Sequence, residues 1–95
     1  MKAITDIEWF KSNFAQFFKG YDVNYRFYEE GDFGSLNQID FNSNEKGGNI
    51  DVWGKGWLGI FLWDYKKEEQ IMNVLLSPEQ ENEKQLALER FKNLL

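Results

Sequence analysis

The chain contains no cysteine and no histidine. Disulfides, thiolate or imidazole zinc sites, thiol nucleophiles and Ser-His or Cys-His pairs are therefore excluded. No long apolar run is present either. The longest, Trp57 to Trp63, spans seven residues including Gly59, where a membrane-crossing helix needs about 20. Met1 to Glu8 has no apolar stretch of signal-peptide type, so a cytoplasmic location is expected. An excess of positive charge is also missing. The eleven Lys and Arg are scattered, and the one adjacent pair, Lys66-Lys67, runs straight into Glu68-Glu69. Nucleic-acid binding through a basic patch is not expected.

What is present is 95 residues, 42% hydrophobic and 18% aromatic, with a net charge of −5. That length suits a single domain, residues 1–95, with one modest core; a chain of this size buries about 65% of its unfolded surface. The acidity is uneven. Residues 22–51 hold seven acids against Arg26 and Lys46, a difference equal to the whole net charge. Such a region steers basic partners and repels polyanions, or it serves only as a solvated face that keeps the protein soluble.

A helix is predicted from Asp6 to Lys19. Thr5 and Glu8 have capping-box spacing, and Ile4 and Trp9 that of a hydrophobic staple. Ile7, Phe10, Phe14, Phe17 and Phe18 recur at helical spacing on one face, and Gly20 is a natural stop. The stripe reads as core packing in preference to a partner groove. Strands follow at Asp22–Glu30, Leu36–Asn42, Asn49–Trp53, Trp57–Tyr65 and Ile71–Leu76. Asn42–Asn49 reads as a polar turn containing Gly47-Gly48, Gly54-Lys55-Gly56 as a hairpin connection, and Asp64–Gln70 as a charged turn. The strand at Trp57 is apolar on both faces, which suits a central or doubly covered position. A last helix starts with Ser77 as N-cap, Pro78 in first position and Gln80 completing a capping box. Leu88, Phe91 and Leu95 form its apolar line, with Leu94 at the edge.

Helix, four or five strands, helix, with connections too short for parallel crossovers, implies an α+β fold built on an antiparallel meander. The two helices are expected to cover the face carrying Val23, Phe27, Ile39, Phe41, Ile50, Val52, Leu58, Ile60 and Leu62. The opposite face then carries Asn24, Arg26, Tyr28, Gln38, Asp40, Asp51, Trp53, Phe61 and Trp63. Large aromatics beside carboxylates and amides suit a partner-binding surface. Arg26 paired across strands with Asp40 or Asp51, beneath shielding Trp rings, is the purely structural reading; a homodimer face is a third.

Catalytic and metal motifs are weak. Asp40 and Asp51 on adjacent strands form a pair of carboxylates, but every small acidic domain has such pairs, and no enzyme activity is expected. Asp64 and the Glu29-Glu30-Gly31-Asp32 loop lack calcium-loop spacing. The Asp32-Phe33-Gly34 triplet comes without other kinase signatures. Gly54-x-Gly56-x-x-Gly59 leads into a strand instead of a helix, so no dinucleotide site is read. No metal and no cofactor are expected.

Gly31-Asp32-Phe33-Gly34-Ser35-Leu36-Asn37-Gln38-Ile39, Gly48-Asn49-Ile50-Asp51-Val52-Trp53, Gly56-Trp57-Leu58-Gly59-Ile60 and Asn73-Val74-Leu75-Leu76 carry a resemblance to a family of small bacterial proteins, over about three quarters of the chain. In size, acidity and α+β plan the chain also resembles immunity proteins of contact-dependent growth inhibition and related polymorphic toxin systems. Those families share no catalytic motif, so no functional residue carries over. The resemblance implies a cytoplasmic antidote that binds a cognate toxin domain and blocks it. The residue reading assigns the contact to the acidic, aromatic surface of Arg26, Tyr28, Glu29, Glu30, Asp32, Asp40, Asp51, Trp53 and Trp63. A self-associating structural or adaptor protein is the alternative, and a small-ligand-binding protein stands behind it.

Overall fold

The computed structural model describes residues 7–29 and 34–95, apart from the side chains of Ile7 and Trp9. Helix α1 (Ile7–Phe14) tightens into a 3-10 turn (Ala15–Phe18). Strands β1 (Asp22–Tyr28), β2 (Leu36–Asn42), β3 (Lys46–Trp53), β4 (Leu58–Asp64) and β5 (Glu69–Leu76) follow, and helix α2 (Glu81–Leu94) closes the chain. The strands form one antiparallel sheet in sequential order, the α+β meander expected from the short connections.

Both helices pack on one face. The register aligns Ile39, Ile50, Ile60 and Val74 across β2 to β5. Phe10, Phe14 and Phe18 from the first helical segment and Leu88 and Phe91 from α2 close over these rows. The four-residue spacing of the three N-terminal rings keeps them on one side of the helix. Phe17, off that line, is only half-buried, and Gly20 ends the segment at φ +90, a conformation open to glycine at no steric cost.

Several expectations change. The Thr5–Glu8 cap and the Ile4–Trp9 staple lie outside the described residues. Phe27 is on the helix side of the sheet but 59% exposed. It stands on an outer strand opposite Asn37, away from the aromatic cluster. β3 begins at Lys46 instead of Asn49, because the preceding turn is tighter than the composition suggested. Ser43 N–H donates to the Lys46 carbonyl (2.8 Å), and the Ser43 hydroxyl accepts from the N–H groups of Glu45 and Lys46. Gly47 and Gly48 are thus strand residues. A Cβ at Gly48 would collide with the Phe61 carbonyl. At the other end, α2 starts at Glu81 rather than at Pro78. Ser77–Gln80 is a separate turn, in which the Gln80 carboxamide accepts from Ser77 N–H (2.9 Å). That bond is the reach-back arm of the capping box, without the helix following directly.

Two lysines hold α2 to the sheet. Lys84 is 2% exposed, and its ammonium donates to the Gly56 carbonyl in the β3–β4 turn (2.7 Å) and to Glu81 (3.4 Å). Lys46, at the start of β3, donates to the Leu94 carbonyl at the helix C-terminus, where the helix dipole favours a cation.

Lys84→Met keeps the aliphatic stem and removes the donor, leaving the Gly56 carbonyl short of a partner. It should cost about 1–3 kcal/mol in urea unfolding. Gly48→Ala should cost about 3 kcal/mol or more, since backbone must move to admit the methyl group.

Candidate functional site

The sheet face away from the helices has a polar centre between two aromatic ends. At the centre, Arg26 Nε lies 3.1 Å from Asp40 Oδ2. The pair is diagonal, since Arg26 stands directly opposite Gln38 and Asp40 opposite Asn24. Next to it, the Asp51 carboxylate accepts from Gln38 Nε2 (2.8 Å) and from Asn49 Nδ2 (3.1 Å). Two neutral donors on adjacent strands therefore fix one anion. Asp40 and Asp51 each have their own partners, so the two carboxylates do not form a shared dyad.

One end of the face is the row Tyr28, Leu36, Trp53, running across β1, β2 and β3. The Trp53 indole leans over Gly59, where a Cβ would stand 3.2 Å from the ring. The glycine acts as the floor of the ring. Beside it lies a hollow of about 140 Å³ lined by Asp51, Trp53, Gly59, Phe61, Asn73 and Leu75 among others. At the other end, Phe61 and Trp63 stack with centroids 6.5 Å apart and planes inclined at 20°. The Tyr65 hydroxyl donates to Asn42 (2.6 Å), and the two side chains crowd over Gly47.

Arg26, Asp40, Asp51, Trp53 and Trp63 of the expected surface thus share one sheet face, with Tyr28 at its margin and Glu29 just past the end of β1. Glu30 and Asp32 lie outside the described residues. Among the described residues, the acids of 22–51 do not form one continuous patch. Asp40 is matched by Arg26, and Glu45 sits in the β2–β3 turn with Lys66 at 2.9 Å. Asn49, Asn42 and Tyr65 are organising residues that the alternation pattern missed. Asn49 stood at the boundary between the expected turn and strand, and the Tyr65–Asn42 bond is a contact 23 residues apart in sequence.

A second hollow, of about 480 Å³, lies at the sheet end bounded by Phe17, Tyr21, Ser43, Glu45, Lys46 and Leu95. Burial holds the Tyr21 phenol above its usual value, partly offset by the Ser43 hydroxyl. Among the described residues, no group of three acidic side chains is placed to hold a metal ion. No helix there is long and apolar enough to cross a membrane. No known protein family, curated protein or solved structure matches the chain.

Charges in the turns beside this hollow give a pH dependence. The Lys66 hydrogen bond, then its charge, holds Glu45 below the ordinary 4.5. The N–H groups of Lys67 and Lys66 hold Asp64 below 3.8. Both carboxyls are depressed in the folded state, so their stabilisation is present above the unfolded values and is lost as pH falls through the folded ones. The urea midpoint should therefore drop on acidification below about pH 4, and Lys66→Met should flatten that drop.

Proposed function

We propose that the chain is an immunity-type inhibitor, a non-catalytic antidote that captures a basic toxin domain on the open face of its sheet. The observation that carries this reading is the face itself. The helices leave it uncovered, yet it is ordered by hydrogen bonds and ring stacking before any partner arrives. Anchors with few rotatable bonds lose little entropy on binding, and Trp, Tyr and Arg dominate the energetics of protein interfaces. Trp53, Trp63 and Tyr28 are the anchors, and the Arg26–Asp40 and Gln38–Asp51–Asn49 groups set the register of the contact. Toxic nucleases must carry positive charge to hold their polyanionic substrate. A net charge of −5 steers such a partner on encounter, and carboxylates presented on the sheet compete with phosphate for its basic groups.

The test is a binding titration against basic nuclease toxin domains of polymorphic toxin systems, with association rates followed as sodium chloride rises. Association should slow steeply with salt, and toxin activity should vanish at stoichiometric inhibitor. Trp53→Ala and Trp63→Ala should each weaken the complex by about 2 kcal/mol, roughly 30-fold. Association indifferent to salt together with wild-type affinity in both variants overturns the reading. So does a chain that dimerises by itself through the open face and is dispersed by Trp63→Ala.

A further inference from the structure

Among the described residues, β5 is an outer strand, hydrogen-bonded to β4 along one side only. Its stretch Ile71–Leu76 carries no charge and no proline. Outer strands of monomers are ordinarily guarded by lysine, proline or a bulge. Here the register shift falls at Leu62/Trp63, near the start of the strand, and Met72–Leu76 pairs regularly with β4. The other outer strand, β1, carries Asp22 and Arg26.

α2 runs back along β5. Its first turn is held near the β3–β4 turn by Lys84, and its last carbonyls lie at the opposite end of the sheet beside Lys46. Glu83 is thereby brought to the Leu76 end of β5 and Arg90 to the Met72 end. Between helix and strand lies an apolar groove of about 250 Å³, floored by Met72, Val74 and Leu76 and walled by Leu86 and Ala87. Leu86 is 70% exposed. Glu83 and Arg90 close the two ends of the groove, and the ion pairs among the described residues include neither of them.

We propose that this groove and strand edge bind a second copy of the same chain, with β5 pairing antiparallel to its counterpart across a two-fold axis. An axis normal to the sheet keeps both α2 helices on the same side. It also makes the contact isologous, the same patch meeting itself. Pairing Val74 with its own counterpart sets Met72 opposite Leu76 of the other copy. The two α2 helices then run antiparallel, with Leu86 and Ala87 at the axis. Glu83 stands three residues before Leu86, and Arg90 three after Ala87. Reversal about the axis therefore places Glu83 of each copy beside Arg90 of the other, twice over. A strand of one charge would satisfy only one end of the groove, whereas a second copy satisfies both. The proposal uses none of the open-face anchors Tyr28, Trp53 and Trp63 and does not depend on the toxin reading.

Sedimentation equilibrium on the purified chain, from about 1 to about 500 μM, tests it. A concentration-dependent dimer is expected. Glu83→Arg and Arg90→Glu should each weaken it about tenfold, since two ion pairs become repulsive at once. An equimolar mixture of the two variants should recover the affinity as a heterodimer, because each then supplies what the other lacks. Trp53→Ala should leave dimerisation unchanged. Circular dichroism confirms that the surface variants fold. A chain that stays monomeric throughout overturns the proposal. So does a dimer indifferent to both charge variants and to their mixing.

Discussion

Phe91 is the point at which both helices and the sheet meet. Its fully buried ring lies 5.4 Å from Phe41 of β2, 6.3 Å from Phe14 of α1 and 6.2 Å from Phe18 of the 3-10 turn. α1 is eight residues long, far too short to hold helical structure in water unaided. It persists because Phe10 and Phe14 bury against this ring and the sheet, each side chain worth about 1.5–3 kcal/mol when removed from water. The dependence runs the other way as well, since without the three N-terminal rings the β2 side of the sheet around Phe41 would lie open. A core organised around one shared ring forces both helices onto the same face.

The opposite face follows from that constraint. With no layer among the described residues to cover it, a wholly apolar surface there would aggregate, and a wholly polar one would leave β4 with nothing to shield its backbone. The chain combines the two. Polar groups at the centre pair with one another, while broad rings lie over the glycines at the ends. Gly47 admits the Tyr65–Asn42 pair, Gly48 the close approach of β4, and Gly59 the Trp53 ring. Glycine weakens a strand interior, and three of them across β3 and β4 make sense only where something else must come close. The face is thus held in shape by its own side chains, which is what the proposed capture of a partner requires.

The architecture was legible because local signals and global topology agree in this chain. Alternation fixed β2 at Leu36–Asn42, and short connections left no option but a meander. Face assignment succeeded wherever an apolar residue had an apolar neighbour across the register, as for Ile39, Ile50 and Ile60. At Phe27 the face was right but the expected coverage failed, because its partner is Asn37 on an outer strand. The glycine pair at 47–48 misled for a different reason. Composition reads Gly-Gly as a turn, whereas here it answers to Phe61, thirteen positions beyond Gly48. Lys84 was hidden in the same way, because burial of a lysine depends on a carbonyl 28 residues away. On the open face, the residue types were visible from alternation, but the diagonal Arg26–Asp40 pairing and the amide clamp on Asp51 depend on rotamers that no spacing encodes.

Charge decides which surface suits which partner. The excess of negative charge sits in residues 22–51, whereas α2 carries three acids and three bases, and Ile71–Leu76 carries none. Two copies brought together through the acidic strands would repel. Brought together through Ile71–Leu76 and α2, they meet where the local net charge is zero and where the order of signs along the helix is complementary to its own reverse. In the proposed inhibitor reading, the open face is left to a cationic partner. An axis normal to the sheet also leaves the two open faces on one side of a continuous ten-stranded sheet. Self-association would then not compete with capture of a partner. It would present two binding faces side by side, and a second partner site, or a repeated basic surface, would be engaged at a raised effective concentration.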